Sequence, residues 1–357
     1  MLTRLVALLV GVAVGAAAAS RVRLENDVSP DRHGDWLQVG RADPDQFLEL
    51  HVALAQKESG RAALERSFED ISNPRSPHYG KHLSNEIVHK MLQPPTSSID
   101  AVRDAFAAAG IFLEAATPNG DILHGVASIR STEAVLGCEY FLYRHRATGV
   151  EAYRTPSYSL PVDLARVVDL VAPTVRLPAE AVPHARKSAV EAQFGGLNTP
   201  KSLRELYGVG DTVGIAASNK QAVTGFLGQH YSATDLREFH LLYFHKAGVG
   251  AKLEQVGDDR GLLSGIEAML DAEYVTALGA NITTEFWGFK GQAPDNPQNE
   301  PFLKWLSLLS NTSDTEAPKL FSTSYGEDES SVSIAYATRI NTEFIKAGRL
   351  PDDPPAG

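Results

Sequence analysis

Between residues 178 and 196 the chain cannot sustain regular structure, and this break constrains how the rest folds. Pro178, Pro183, the basic run His184-Ala185-Arg186-Lys187 and the pair Gly195-Gly196 all fall within it. Proline removes an amide donor and fixes φ, and paired glycines add chain entropy, so neither a helix nor a strand crosses such a stretch. The 357 residues therefore divide into two units joined by a linker over 179–196. An exposed loop with basic residues is also where a chain is readily nicked. Hydrophobic content of 43% with 22% charged residues is that of packed globular units.

The first unit runs from about residue 29 to 178, or 20–178 with its leading segment, and mixes strands with helices. Phe47 to Leu54 alternates with period two and predicts a strand. Helices are predicted over Ala62–Ile71, over Ser84–Leu92 with Ser84 as cap and Pro94-Pro95 as stop, and over Ser98–Ala109 ended by Gly110. Ile122–Ile129 and Glu139–Arg144 are further strands, with a short helix from Ser131 between them. Such a mixture suggests an α+β unit of the ferredoxin-like plait type. The segment Asn73-Pro74-Arg75-Ser76-Pro77-His78-Tyr79-Gly80 predicts a fixed turn. Cys138 is the one cysteine, so no disulfide forms within the chain, and its apolar setting predicts an inert thiol.

The second unit alternates strand and helix: helix entry at Thr199-Pro200, a strand over Thr212–Ala217, a helix opened by Ser232, then strands over Thr283–Phe289 and Lys319–Ser324. Helices over Phe302–Leu309 and Ser330–Ala347 complete the pattern of a parallel α/β sheet. Asp328 and Glu329 suit a helix start. Within it, Leu263 to Tyr274 predicts a helix whose apolar stripe is Ile266, Met269, Leu270 and Tyr274, with Ser264 and Glu267 as a capping box. Glu267 and Asp271 lie four apart and share a face, where neighbouring carboxylates can split their pKa values and one can pass a proton. Spacing alone leaves open a solvated acidic face or a cap. Ser324-Tyr325-Gly326 ends a strand, where open α/β sheets bind ligands, though a plain turn has the same composition.

Gly265-Ile266-Glu267-Ala268-x-Leu270-Asp271-x-x-Tyr274 resembles the catalytic helix of the sedolisin family, the serine–carboxyl peptidases. The resemblance implies that Glu267 is the general base for a serine nucleophile, that Asp271 orients it, and that Ser324, Tyr325 and Gly326 line the substrate cleft through their backbone. Most of residues 29–178, with the Asn73–Ser84 stretch as its signature, is similar to the pro-kumamolisin-type activation domain, which implies a propeptide acting as chaperone and inhibitor, released near Gly196-Leu197. The implied fold of 197–357 is the N-terminal part of a subtilisin-like, doubly wound α/β domain. The implied activity is removal of tripeptides from free N-termini, on peptide or protein substrates.

The family also uses an oxyanion Asp in Ser-Gly-Asp-Ser-Gly, a serine in Gly-Thr-Ser-Ala-Ser and a calcium site, and none of those segments occurs in these residues. The resemblance ends near Ala347, before a proline-rich tail at 348–357, so the expectation is a truncated peptidase domain, inactive alone. The alternative is a non-catalytic, propeptide-bearing fragment that binds or inhibits an intact relative. His230, His240 and His245 lack metal-ligand spacing, and no metal is expected on the residues present. There is no phosphate-binding glycine loop and no GxSxG elbow. A formal charge of −11 argues against a nucleic-acid partner. Arg4, the apolar Leu5–Val14 and Ala17-Ala18-Ala19 read as a signal peptide over 1–19, hence no membrane anchor and a secretory, lysosomal or extracellular address. Asn281 and Asn311 head N-glycosylation sequons.

Overall fold

The computed structural model describes residues 20–26, 35–177, 198–244, 253–261, 264–294, 299–326 and 332–348. The expected signal segment, the linker, His245, Asp328, Glu329 and the tail from 349 lie outside the described residues.

The first unit comprises β1 (Arg21–Asn26), β2 (Trp36–Arg41), β3 (Phe47–Leu54), α1 (Glu58–Ser72), α2 (Asn85–Leu92), α3 (Thr96–Ala107), β4 (Glu114–Ala115), β5 (Ile122–Ser128), α4 (Ile129–Leu136), β6 (Phe141–His145), β7 (Glu151–Arg154), β8 (Ser157–Pro161), α5 (Val162–Ala165) and β9 (Val168–Ala172). Its main sheet has the order β4-β5-β3-β9, every pair antiparallel. Alternation on β3 turns Leu48, Leu50, Val52 and Leu54 into a core with Val102, Phe106 and Leu136 from the helices. Ser84 caps α2 by accepting from the Ile87 amide. The proline-rich turn after α1 is fixed by its own side chains. The Asn73 side chain accepts from Arg75 N at 3.0 Å, and Asp70 accepts from the Ser76 hydroxyl. Gly80, at φ +73°, closes onto Ile71 O at 3.0 Å.

The second unit comprises α6 (Pro200–Leu206), β10 (Lys220–Gly225), α7 (Ala233–Tyr243), β11 (Leu253–Gly257), α8 (Ile266–Leu278), β12 (Thr283–Gly288), α9 (Phe302–Ser310), β13 (Leu320–Ser322) and α10 (Ile334–Ala347). Its sheet has the order β11-β12-β10-β13, all parallel. Helix α8 covers one face over Val223, Phe286 and Leu253, while α9 and α10 cover the other over Ala222, Trp287 and Phe226.

Three sequence expectations fail here. Thr212–Ala217 is not a strand; Ile215 is 94% exposed, and the chain only joins the sheet at Lys220. The buried strand, Gln221-Ala222-Val223-Thr224, is half polar, because Gln221 satisfies carbonyls of α8 and Thr224 bonds Thr323. The last helix starts at Ile334, not Ser330, because Ser333 caps it by accepting from Tyr336 N. The third failure, on α8, belongs to the site.

The two units share a core. One apolar cluster joins Ala53, Ile122, Leu170 and Ala172 of the first sheet to Trp305, Leu306 and Ile340 of α9 and α10. Beside it, Asp121 accepts from Lys346 Nζ at 2.7 Å, and Lys346 also holds Glu343 at 2.8 Å, all with side chains 0% exposed. Arg339 reaches Asp169 at 3.2 Å and the Leu54 carbonyl. Charges this deeply buried persist only when paired.

Candidate active site

The C-terminal edge of the parallel sheet is made of glycine. Gly225, Gly288 and Gly257 stand in register on β10, β12 and β11. A methyl group on Gly257 would sit 2.1 Å from the Gly288 carbonyl oxygen, so backbone packs there without side chains. Past this edge His230 O accepts from Gly265 N at 2.9 Å, which places the N-terminus of α8 at the carboxyl end of the strands.

Helix α8 begins one residue later than a capping box requires. Its N-cap is Gly265, with no side-chain cap, and Ser264 instead bridges to His230. The buried face is Ala268, Ala272 and Thr276, not the predicted stripe, and Ile266 is 89% exposed. Small residues face the sheet because the helix lies close over β10. That rotation carries Glu267 and Asp271 to the rim, half-buried, rather than into bulk water.

Asp271 Oδ1 accepts from the Ser324 hydroxyl at 2.7 Å, so the strand-end serine and the helix carboxylate meet although 53 residues apart. Asp271 Oδ2 is buried and has no hydrogen-bond partner among the described residues. Burial pushes the Asp271 carboxyl up to about 6; the Ser324 hydrogen bond opposes the rise and the Glu267 charge adds to it. Tyr325 packs edge-on to Phe226 at 5.0 Å, and burial raises its phenol. Nothing stands within 4 Å of the space a side chain on Gly326 would fill. Next to Tyr325 and Gly326 opens a cavity of about 800 Å³, bounded by Trp305, Phe321, Tyr336 and Phe344. A carboxyl held near neutrality beside a hydroxyl can take or return a proton in mildly acidic solution.

Other residues singled out in the sequence are placed plainly. His230, buried at the carboxyl edge of the sheet beside the start of α8, lies 3.6 Å from Asp259, and His240 on α7 pairs with Thr276 Oγ1 of α8 at 2.8 Å. Asn281 is exposed at φ +64° and donates to Gly214 O at 2.6 Å. Asn311 is exposed after α9 and donates to Ser307 O and, across to the first unit, to Ala116 O, each at 2.8 Å. Burial pushes the Cys138 thiol up to about 12, as an inert thiol requires. Sequence reading missed Glu285, buried on β12 between Lys220 Nζ at 2.9 Å and Trp287 Nε1 at 2.7 Å; its alternation with apolar neighbours was the available signal.

The pro-kumamolisin activation domain matches residues 34–177. The chain is similar to tripeptidyl-peptidase 1 of Rattus norvegicus and of Homo sapiens, in each case 36% identical over 323 residues, covering 87% of this chain and 56% of the relative. The Bos taurus protein of that name is 35% identical over the same span. The chain thus spans little more than half the length of the curated relatives it matches. An activation-domain match thus spans the first unit, and the similarity to tripeptidyl-peptidase 1 continues from it into the second.

Proposed function

We propose that the chain carries the propeptide and the N-terminal part of the catalytic domain of a serine-type acid peptidase zymogen that removes tripeptides from free N-termini. The observation that carries this reading is the Ser324–Asp271 hydrogen bond, with Glu267 one helical turn away, at the carboxyl edge of a parallel sheet. Glu267 is the general base and Asp271 its support, tuned upward by burial. The backbone of Ser324 to Gly326 lies along the substrate. The order β11-β12-β10-β13 supports a subtilisin-like doubly wound sheet, and β4-β5-β3-β9 supports a ferredoxin-like plait in the activation unit. The family's calcium-ligand segment does not occur in these residues.

These 357 residues contain no serine in the family's nucleophile motif, so they do not turn over peptides by themselves. The address is secretory, lysosomal or extracellular, with glycans on Asn281 and Asn311; among the described residues no helix is long and apolar enough to cross a membrane. The test is a fusion of this chain to the C-terminal part of a tripeptidyl-peptidase 1. The fusion is expected to release tripeptides at acidic pH, and Glu267→Gln to lower turnover about 10²–10⁴-fold. A fully active Glu267→Gln fusion would sink the assignment. So would peptidase activity of the bare chain that disappears in Ser324→Ala, which would make Ser324 the nucleophile.

A further inference from the structure

The outer face of the first sheet has a dry end and a wet end. Ala53 and Ile122 are buried against the second unit. Two residues along each strand, the same face carries His51 on β3 and His124 on β5, directly opposite in the antiparallel register. Two further back on β3 is Glu49. Period-two alternation and the strand register thus gather three ligand-bearing side chains on one patch.

We propose that Glu49, His51 and His124 form a binding site for a divalent transition metal of the Zn²⁺ class. Glu49 Oε1 lies 3.1 Å from His124 Nε2 and 3.8 Å from His51 Nε2, and the three ligand atoms lie within 4.8 Å of one another. Tetrahedral zinc with ligands at about 2.0–2.1 Å holds neighbouring ligand atoms about 3.3 Å apart. The patch is therefore close to that spacing before any ion enters, and small side-chain rotations close it. Two imidazoles and one carboxylate suit zinc, copper or nickel better than calcium or magnesium, which take oxygen ligands. Both histidines offer Nε2 toward the carboxylate, and the tilted rings sit 5.2 Å apart.

The site is reachable. Beside Glu49 and His51 opens a hollow of about 210 Å³, bounded on the second unit by Lys290, Pro301 and Lys304. Lys304 would repel a cation, but its ammonium is held by Asp258 at 2.7 Å and by the Lys290 carbonyl at 3.1 Å. The hollow leaves room beside Glu49 and His51 for a water to complete the coordination of an ion. The ion would clamp β3 to β5 at the seam between the activation unit and the second unit, away from Asp271 and Ser324.

The experiment titrates the purified full chain with Zn²⁺ alone, by calorimetry, and with Co²⁺ by visible absorption. One equivalent is expected, with tetrahedral Co²⁺ bands and a higher melting temperature with zinc. Glu49→Gln and His124→Gln should each weaken uptake about tenfold or more and abolish the thermal shift. His78→Ala, at a separate surface histidine beside Asp70, should change neither. Glu49 is exposed, so Glu49→Gln retains the fold and keeps the test decisive if His124→Gln does not. Absence of stoichiometric uptake, or uptake that survives the substitutions in folded protein, overturns the proposal.

Discussion

Asp271 answers to two opposing demands. Its carboxylate accepts a hydrogen bond from the Ser324 hydroxyl, while burial disfavours its charge. A folded-state value near 6 against an ordinary 3.8 means that the folded chain binds a proton more readily than the unfolded one between those limits. Stability from this group is therefore fully present below about pH 4 and is lost as pH rises through 6. Asp271→Asn, which keeps the acceptor and removes the charge, should melt higher than the parent at pH 7. The gap should close below pH 4, and thermal melts across pH 3–8 check it. A gap independent of pH would mean that the carboxylate is not desolvated. Asn311 poses a different question, because its amide bonds Ala116 of the first unit and Ser307 of its own helix. A glycan replaces one of those two amide hydrogens. Glycosylated chain should therefore hold the first unit less tightly than Asn311→Gln chain, read as faster hydrogen exchange around Ala116.

At the scale of elements, what the sequence disclosed was periodicity and caps. The alternation of Phe47–Leu54 located β3 to the residue, and Ser84, Thr199 and Ser232 all cap the helices they were expected to open. What it concealed was orientation. Helix α8 is apolar nearly all round, so Ile266 and Leu270 look like core residues until the tight packing on β10 selects alanines instead. The serine that meets Asp271 was legible as a strand end but not as its hydrogen-bond partner, since strand order has no linear trace. The same holds for Glu49, His51 and His124, whose gathering depends on a cross-strand register. Helix α10 gives a sharp element-scale prediction. Lys346 lies with Asp121 and Glu343 around one buried ammonium. Lys346→Met strands both carboxylates and should cost about 3–5 kcal/mol in urea unfolding. Adding Asp121→Asn and Glu343→Gln to it should recover much of the loss.

For the whole molecule, the layers run from α8 through the parallel sheet to α9 and α10, then the antiparallel sheet, then that sheet's own helices. The seam is a core rather than a contact between finished surfaces. Residues 20–178 expressed alone should still unfold cooperatively, because most of their large apolar side chains turn into their own cluster. They should melt at a lower temperature than in the full chain, with Ala53, Ile122 and Leu170 uncovered and Asp121 without its cations. Asp121→Asn should narrow that difference; calorimetry of the four proteins decides. A broad, noncooperative melt of the isolated unit would mean that the propeptide is not a domain without its partner.

The lysine that neutralises Asp121 comes 225 residues later in the chain. At a ribosomal pace of about 5–20 residues per second, that gap lasts about 10–45 s. For most of this interval the activation unit is already complete, yet an acid meant for a dry interior lacks its cation from α10. The nascent chain must keep that side chain wet, so the outer face of the first sheet stays open to water, and to any chaperone at hand, until α10 has left the tunnel. The propeptide is made first but is finished last.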